Sequence, residues 1–252
     1  MIIFISGATS GIGKAAAFEF AKNGYDLIIT GRRADRLASI KENIINKYAI
    51  QVHTLNFDVR SNEACTAAFE SLPPAFQNID ILLNNAGLAR GYDPIHEGKL
   101  DDWETMIDTN VKGLLYLTRL VSPGMVERKS GHIINVCSTA GKEVYPKGNV
   151  YCASKHAVDA LTKAMRIDLH VHGIKVSQVA PAHVEETEFA KVRFHGDEKR
   201  AKIYEDFIPL NAQDVAEAIY FIASRPKHVN VQDILIMGTQ QANSNFINRS
   251  GR

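Results

Sequence analysis

The sequence predicts an α/β protein in which a seven-stranded parallel sheet is doubly wound, with helices on both faces. Two observations carry that expectation. Seven short apolar runs recur along the 252 residues, with helix-patterned segments between them. A glycine-rich turn follows the first run and leads straight into the first helical pattern.

The runs are IIFIS (2–6), DLIIT (26–30), VHTLN (52–56), IDILLN (79–84), HIINVC (132–137), KVSQVA (175–180) and DILIM (233–237). Most are apolar nearly throughout, as expected of strands buried on both faces. GKAAAFEFAKNG, DRLASIKENIINKY and DVAEAIYFIAS show helical spacing between them. Strand–helix alternation at this interval calls for parallel pairing with helical crossovers. No fixed-period repeat or low-complexity linker divides the chain, so residues 1–252 are expected to form one domain. The polar, charged stretch from about 183 to 208 breaks the rhythm before the last helix and strand. A long insertion there predicts a lid over a site.

Composition excludes several function classes. A net charge of +1 gives no electrostatic reason to expect nucleic acid or an anionic membrane. No apolar run approaches the length needed to span a bilayer. The three cysteines, Cys65, Cys137 and Cys152, lack paired metal-site spacing, and the nine histidines form no ligand cluster. The expectation is a cytoplasmic protein with reduced thiols and no metal. The first strand begins at residue 2, which leaves no room for a signal peptide.

The turn after the first strand is Ser6-Gly7-Ala8-Thr9-Ser10-Gly11-Ile12-Gly13. Glycines let the backbone approach a phosphate, and the following helix offers free N–H groups and a positive dipole end. Strand, glycine loop and helix at the start of an alternating chain point to a Rossmann-type site for a dinucleotide. The second strand runs into Thr30-Gly31-Arg32-Arg33, with no acid until Asp35. An arginine here accommodates a 2′-phosphate, whereas an acid would bond a ribose 2′-hydroxyl, so the cofactor expected is NADP. Asp58, after the third strand, has two readings: a partner for the adenine amino group, or the N-cap of the next helix.

Tyr151 and Lys155 stand four apart in NVYCASK, on one face of a helix. An ammonium placed there favours the phenolate and brings a phenol closer to proton transfer near neutral pH. Alone, the pair is equally the mark of a half-buried tyrosine beside a snorkelling lysine. Context decides. Gly-x-x-x-Gly-x-Gly near the N-terminus, Asn84-Asn85-Ala86-Gly87 after the fourth strand and Tyr-x-x-x-Lys on a later helix together resemble the short-chain dehydrogenase/reductase family. DWETMIDTNVKGLLYLTR, GHIINVCSTAG, TEFAKVRFHGD and IPLNAQDVAEAI resemble in particular the NADP-dependent 3-hydroxy acid dehydrogenases acting on serine and L-allo-threonine.

The resemblance implies a hydride-transferring oxidoreductase with NADP. It implies Tyr151 as general acid/base and Lys155 as the group that lowers the phenol's pKa and bonds the nicotinamide ribose. Ser138 would hold the substrate oxygen, and Asn110 would bind the water linking Lys155 to solvent. Asparagine is a poor mid-helix residue, which fits a demand placed on Asn110. Gly7, Thr9, Ser10, Gly11, Ile12, Gly13, Arg32, Arg33, Asp58 and Val59 would contact the cofactor. Asn85, Ala86, Gly87, Tyr151, Lys155, Pro181 and Val184 would complete that set.

Pro181-Ala182-His183 departs from the family's usual Pro-Gly, and brings the His183 imidazole towards the substrate end. For a substrate carboxylate, Arg193 in the lid is the candidate, because a guanidinium binds a carboxylate bidentately. The competing reading is an exposed lid arginine paired with Asp197 or Glu198. Lys142 and Lys147 are weaker candidates. Ser138 and Tyr151 would contact the same substrate. Two other functions remain open: an NADPH-dependent reductase of another carbonyl class, such as 3-oxoacyl thioesters or small ketones, and a non-catalytic NADP-sensing module.

Leu114, Leu115, Leu117, Leu120 and Val121 cluster on the long helix, more than one core-facing stripe needs. Together with the family's assembly this predicts a homotetramer, its polar tail from Gly238 to Arg252 ordered by neighbouring subunits.

Overall fold

Residue parity along the strands decides the architecture. In the computed structural model, which describes residues 1–252, Ile3 and Ile5 of β1 (Ile2–Ile5) enter one apolar core and Phe4 enters the other. The same split recurs in β2 (Asp26–Gly31), with Leu27 and Ile29 against Ile28, and in β4 (Ile81–Asn84), with Ile81 and Leu83 against Leu82. Register aligns these layers, since Phe4 pairs with both Ile28 and Leu82. Strands apolar on both sides need cover on both sides, and helices supply it.

The sheet has seven strands, all parallel, in the order β3-β2-β1-β4-β5-β6-β7. The remaining strands are β3 (Val52–Asn56), β5 (Gly131–Val136), β6 (Ile174–Pro181) and β7 (Asp233–Ile236). One face carries α1 (Gly11–Lys22), α2 (Ala34–Ile45) and α9 (Ala212–Ala223), through residues such as Phe20, Leu37 and Ile219. The other carries α3 (Asn62–Glu70), α5 (Gly113–Arg128) and α6 (Asn149–Leu169), through Cys65, Leu117 and Val158. The expected doubly wound sheet forms, and the chain reverses its direction of travel between β1 and β4. No helix is long and apolar enough to cross a membrane.

The helix expected around Asn110 is not continuous. It consists of α4 (Leu100–Ile107), a π-helical turn over Asp108–Lys112, and α5. Gly113 permits close approach there: a Cβ on it would lie 2.9 Å from Val59 Cγ2. Of the five apolar residues on α5, Leu114, Leu117 and Val121 are buried, Leu120 packs against the core, and only Leu115 is exposed. The apolar excess expected on this helix is therefore largely internal.

Residues 183–208 hold two short helices, α7 (Phe189–Arg193) and α8 (Glu198–Ala201). This segment is tied back to the body by Gly91 N donating to Arg193 O at 2.9 Å and by His195 Nε2 at 2.9 Å from Asp102 Oδ2. After it, Asn211 and Asp214 form a capping box that restarts the regular fold at α9. The C-terminal tail departs from expectation, because it finds partners within its own chain. Gly251 N donates to Asp206 O, Arg249 pairs with Asp206, Ser244 N donates to Glu143, and Gln241 is buried.

A charged network joins α6 to β6 and β7. Asp159 accepts from Lys142 Nζ at 2.6 Å, Lys163 Nζ at 2.5 Å and Gln178 Nε2 at 2.5 Å, while Asp233 accepts from Lys142 and Gln178. Burial alone would raise the Asp159 carboxyl, but the hydrogen bonds from Lys142, Lys163 and Gln178 prevail and hold it far below the usual range. Asp159→Asn is expected to destabilise the fold by about 2 kcal/mol at neutral pH, as loss of charged hydrogen bonds does. A depressed carboxyl contributes stability above its unfolded pKa of about 3.9 and loses it as pH falls towards the native value. Urea unfolding of both proteins should therefore show a gap that is full at neutral pH and narrows below about pH 4.

Candidate active site

A cleft opens where the strand order reverses, at the C-terminal ends of β1 and β4. Gly7 has φ +67°, and a Cβ on it would lie 2.9 Å from Ala86 Cα. Gly13 is tighter still, with Gly7 O and Asn85 Nδ2 each 2.4 Å from a Cβ position. Ser6 Oγ accepts from the main-chain N–H groups of Asn85 and Ala86, both at 3.0 Å. Asn85 Nδ2 donates to Ser6 O and Gly7 O, so this side chain braces the glycine turn.

The residues present fit a dinucleotide phosphate. Ser10, the N-cap of α1, makes no side-chain cap bond, and no acid stands in the first turn, so the helix start stays available to an anion. Arg33 donates through Nε and Nη2 to Thr9 Oγ1 (3.1 and 2.6 Å), through Nη2 to Ser10 Oγ, and through Nη1 to Glu188 Oε2 at 2.6 Å. Arg32 is more exposed and lies 3.8 Å from Asp58. The N-cap reading of Asp58 is corrected: Ser61 caps α3, accepting from Ala64 N, while Asp58 lines the cleft and is bonded by Arg60.

Of the residues expected at the site, all but Gly13, Asn110, His183 and Arg193 line this one cleft. Asn110 lies just behind it in the π turn. Its Oδ1 accepts from Leu88 N at 2.8 Å, and its Nδ2 donates to Leu88 O (2.8 Å) and Ser154 Oγ (3.0 Å). A π turn marks many functional helices, and this one aims a buried asparagine between the Leu88 loop and α6. Asn110 Oδ1 and Lys155 Nζ both lie 3.3 Å from a Cβ position on Gly87, so the three converge.

Tyr151 and Lys155 are both buried on one face of α6. Lys155 Nζ donates to Val136 O at 2.9 Å, and burial lowers its pKa. Burial pushes the Tyr151 phenol well above its ordinary value; the neighbouring Ser138 hydroxyl and Arg193 guanidinium act the other way. Lys155 was expected to set the phenol's pKa, yet the opposing influences come from Ser138 and Arg193. Ser138 lies two residues past β5, and its Oγ accepts from Ala140 N.

Arg193 is not the exposed arginine of the competing reading. It is 7% exposed and has no acidic partner; Nη1 donates to Tyr145 Oη at 3.1 Å. Its guanidinium carbon lies 4.7, 5.4 and 5.8 Å from the ring centres of Tyr92, Tyr145 and Tyr151. The buried Nε has no acceptor. His183 points away from the cleft, its ring against Tyr204 (5.4 Å) and Phe207 (5.7 Å), and burial lowers its pKa. Lys142 is committed to Asp159 and Asp233, and Lys147 lies over Tyr92.

Three residues at the site were not singled out from the sequence. Tyr145 is half-buried, its phenol pushed up to about 12 by burial, and it bonds Arg193. Phe189 meets the Tyr151 ring edge-on at 5.5 Å. Glu188 bridges Arg33 and Arg36. Only Tyr145 left a local signal, as the one aromatic residue in the polar loop KEVYPKGN.

The family model of the short chain dehydrogenases matches residues 1–198. An NADP-dependent 3-hydroxy acid dehydrogenase of Escherichia coli (strain K12) is 45% identical over 244 residues, 96% of each chain. A sulfoacetaldehyde reductase of Chromohalobacter salexigens is 45% identical over 247 residues, 97% of each chain. Among solved structures, the closed form of serine dehydrogenase complexed with NADP+ is similar with a TM-score of 0.92 and 42% identity, covering 98% of this chain and 99% of that one.

Proposed function

The chain belongs to the short-chain dehydrogenase family, and on that premise we propose that it interconverts a small hydroxy acid of the 3-hydroxy type and its carbonyl form. It is an NADP-dependent oxidoreductase. The observation that carries the substrate reading is Arg193, a buried guanidinium with an unused Nε–H and no carboxylate of its own. A buried donor without a partner is costly, and an anionic substrate group would satisfy it. Tyr145 fixes the guanidinium from the side, and Tyr151 lies next to it.

When bound, NADP supplies hydride exchange with the substrate carbinol carbon. The chain's own residues hold the substrate and move one proton. The Tyr151 phenol exchanges that proton with the substrate oxygen, and the Ser138 hydroxyl holds the same oxygen beside it. Lys155, anchored on Val136 O, sits beneath the site, while Asn110 locks the π turn to Leu88 and Ser154. Residues 183–208 act as a lid, since α7 brings Phe189 and Arg193 against Tyr151. The same pocket suits a sulfonate, and the resemblance to a sulfoacetaldehyde reductase favours that as the second reading.

The three buried free thiols suit the reducing cytoplasm as its location. The apolar surface best placed for assembly into a homotetramer is Leu235 on the edge strand β7, Phe221 on α9, and Ile167 and Val171 at the end of α6, all exposed.

An NADP reduction assay with L-serine, L-allo-threonine, 3-hydroxybutyrate, 2-hydroxyethanesulfonate and a neutral alcohol tests the substrate class. The anionic alcohols should exceed the neutral one in kcat/KM. Arg193→Ala should cut that advantage by about ten- to a hundredfold, beyond whatever loss both kinds of alcohol share through Tyr151. Equal loss with both kinds of alcohol would refute the anion reading.

Tyr151→Phe should bind NADP like the wild type and lose turnover by at least about a hundredfold, the lower range for a general acid/base. Because burial raises the phenol's pKa, oxidation by the wild type should speed up from neutral to mildly alkaline pH. Retained turnover in the variant would assign the proton to another group.

Light scattering at micromolar concentration should give four times the mass of one chain. Replacing exposed Leu235 and Phe221 with polar residues should shift the population to smaller species; a monomeric wild type would refute the assembly.

A further inference from the structure

Two arginines at the start of α2 are held by a carboxylate from the far side of the cleft. Arg33 Nη1 donates to Glu188 Oε2 at 2.6 Å and Arg36 Nη1 to Glu188 Oε1 at 2.8 Å. Glu188 is the N-cap residue of α7, yet its side chain makes no cap bond. Helix capping therefore does not explain the acid at this position. Burial opposes its ionisation, but the hydrogen bonds from Arg33 and Arg36 outweigh that and pull its pKa down to about 2. Glu188 is an anion throughout the neutral range.

We propose that Glu188 is an internal stand-in for the adenosine 2′-phosphate: it competes with NADP for Arg33 and Arg36, and thereby limits the preference for NADP over NAD. The proposal rests on Arg33 being the 2′-phosphate residue.

The donor count on Arg33 makes the competition physical. Nε and Nη2 are engaged by the Thr9 and Ser10 hydroxyls, and Nη1 by Glu188. Thr9, Ser10, Arg33 and Glu188 all line the same end of the cleft. A phosphate carrying nearly two negative charges needs the same N–H groups and repels the carboxylate already there. NAD presents a hydroxyl at that position. A carboxylate accepts a hydrogen bond from such a hydroxyl, which is the NAD-selective arrangement in dinucleotide-binding folds. Glu188 thus works against the phosphate and with the hydroxyl. Because it also begins α7, the pair links the adenosine end of the cleft to the segment bearing Phe189 and Arg193.

Calorimetric titration of the cofactor-free protein tests this with NADP, NAD and adenosine 2′,5′-bisphosphate, comparing wild type, Glu188→Gln and Arg33→Ala. Glutamine keeps the size of the side chain and leaves the backbone bonds of α7 intact. Glu188→Gln is expected to bind NADP and the bisphosphate about three- to tenfold tighter, with NAD binding unchanged or weaker. Arg33→Ala is expected to lose NADP affinity and leave NAD affinity in place. If Glu188→Gln binds NADP no tighter than wild type while Arg33→Ala still loses it, the competition is overturned and the role of Arg33 stands. If Arg33→Ala binds NADP as well as wild type, the phosphate assignment falls and the inference falls with it.

Discussion

The site depends on how closely two main chains approach at the point where the sheet reverses. The loops after β1 and β4 meet with Gly7 against Ala86, at a distance where a Cβ would overlap the backbone. Gly13 repeats the constraint one helical turn later, against Gly7 O and Asn85 Nδ2. The Ser6 hydroxyl then stitches the loops together by accepting from Asn85 N and Ala86 N. This contact sets where the start of α1 points and where Gly87 runs. Gly87 in turn leaves room for Asn110 and Lys155 to converge from two other helices. A side chain at Gly7 or Gly13 would displace the floor of the cleft and, through Gly87, the catalytic end as well.

The parts of this arrangement that rest on local rules are legible in the sequence. Apolar runs on every strand, glycines at a forced approach and an i, i+4 Tyr–Lys pair each follow from backbone geometry. Cys137 and Cys152, whose spacing fits no metal site, are buried, and burial pushes their thiols up. What escaped depends on which charged groups meet across long sequence separations. Glu188 meets Arg33 across 155 positions, and Lys142 meets Asp233 across 91. No periodicity encodes such pairs. His183 shows the same limit. Its place after β6 suggested the substrate end, but the lid aromatics Tyr204 and Phe207 offer its ring an apolar seat. The π turn at Asn110 is an intermediate case. The poor helix former was visible as a signal, whereas the π turn and the seat of its side chain against Leu88 and Ser154 were not.

Burial sets the electrostatics of the catalytic end. It raises the Tyr151 phenol and lowers Lys155, so both groups are pushed towards their neutral forms. The tilt back towards the phenolate comes from Ser138 and from Arg193, a cation at the end of α7. The Tyr151 phenol is then tuned partly by a residue of the 183–208 segment. A lid that only excluded solvent would raise the phenol further. The 183–208 segment carries its own positive charge, held among three tyrosine rings, against the burial that raises the phenol.

The short length of α7 makes that offset specific. From Glu188 to Arg193 the helix rises only about 7.5 Å, at roughly 1.5 Å per residue. One end is held by Arg33 and Arg36, the other by the tyrosine box and by Gly91 N on Arg193 O. A rigid element pinned at both ends cannot shift at one without straining the other. The ion pairs of Glu188 with Arg33 and Arg36 and the cation placed beside Tyr151 are therefore joined by one short helix.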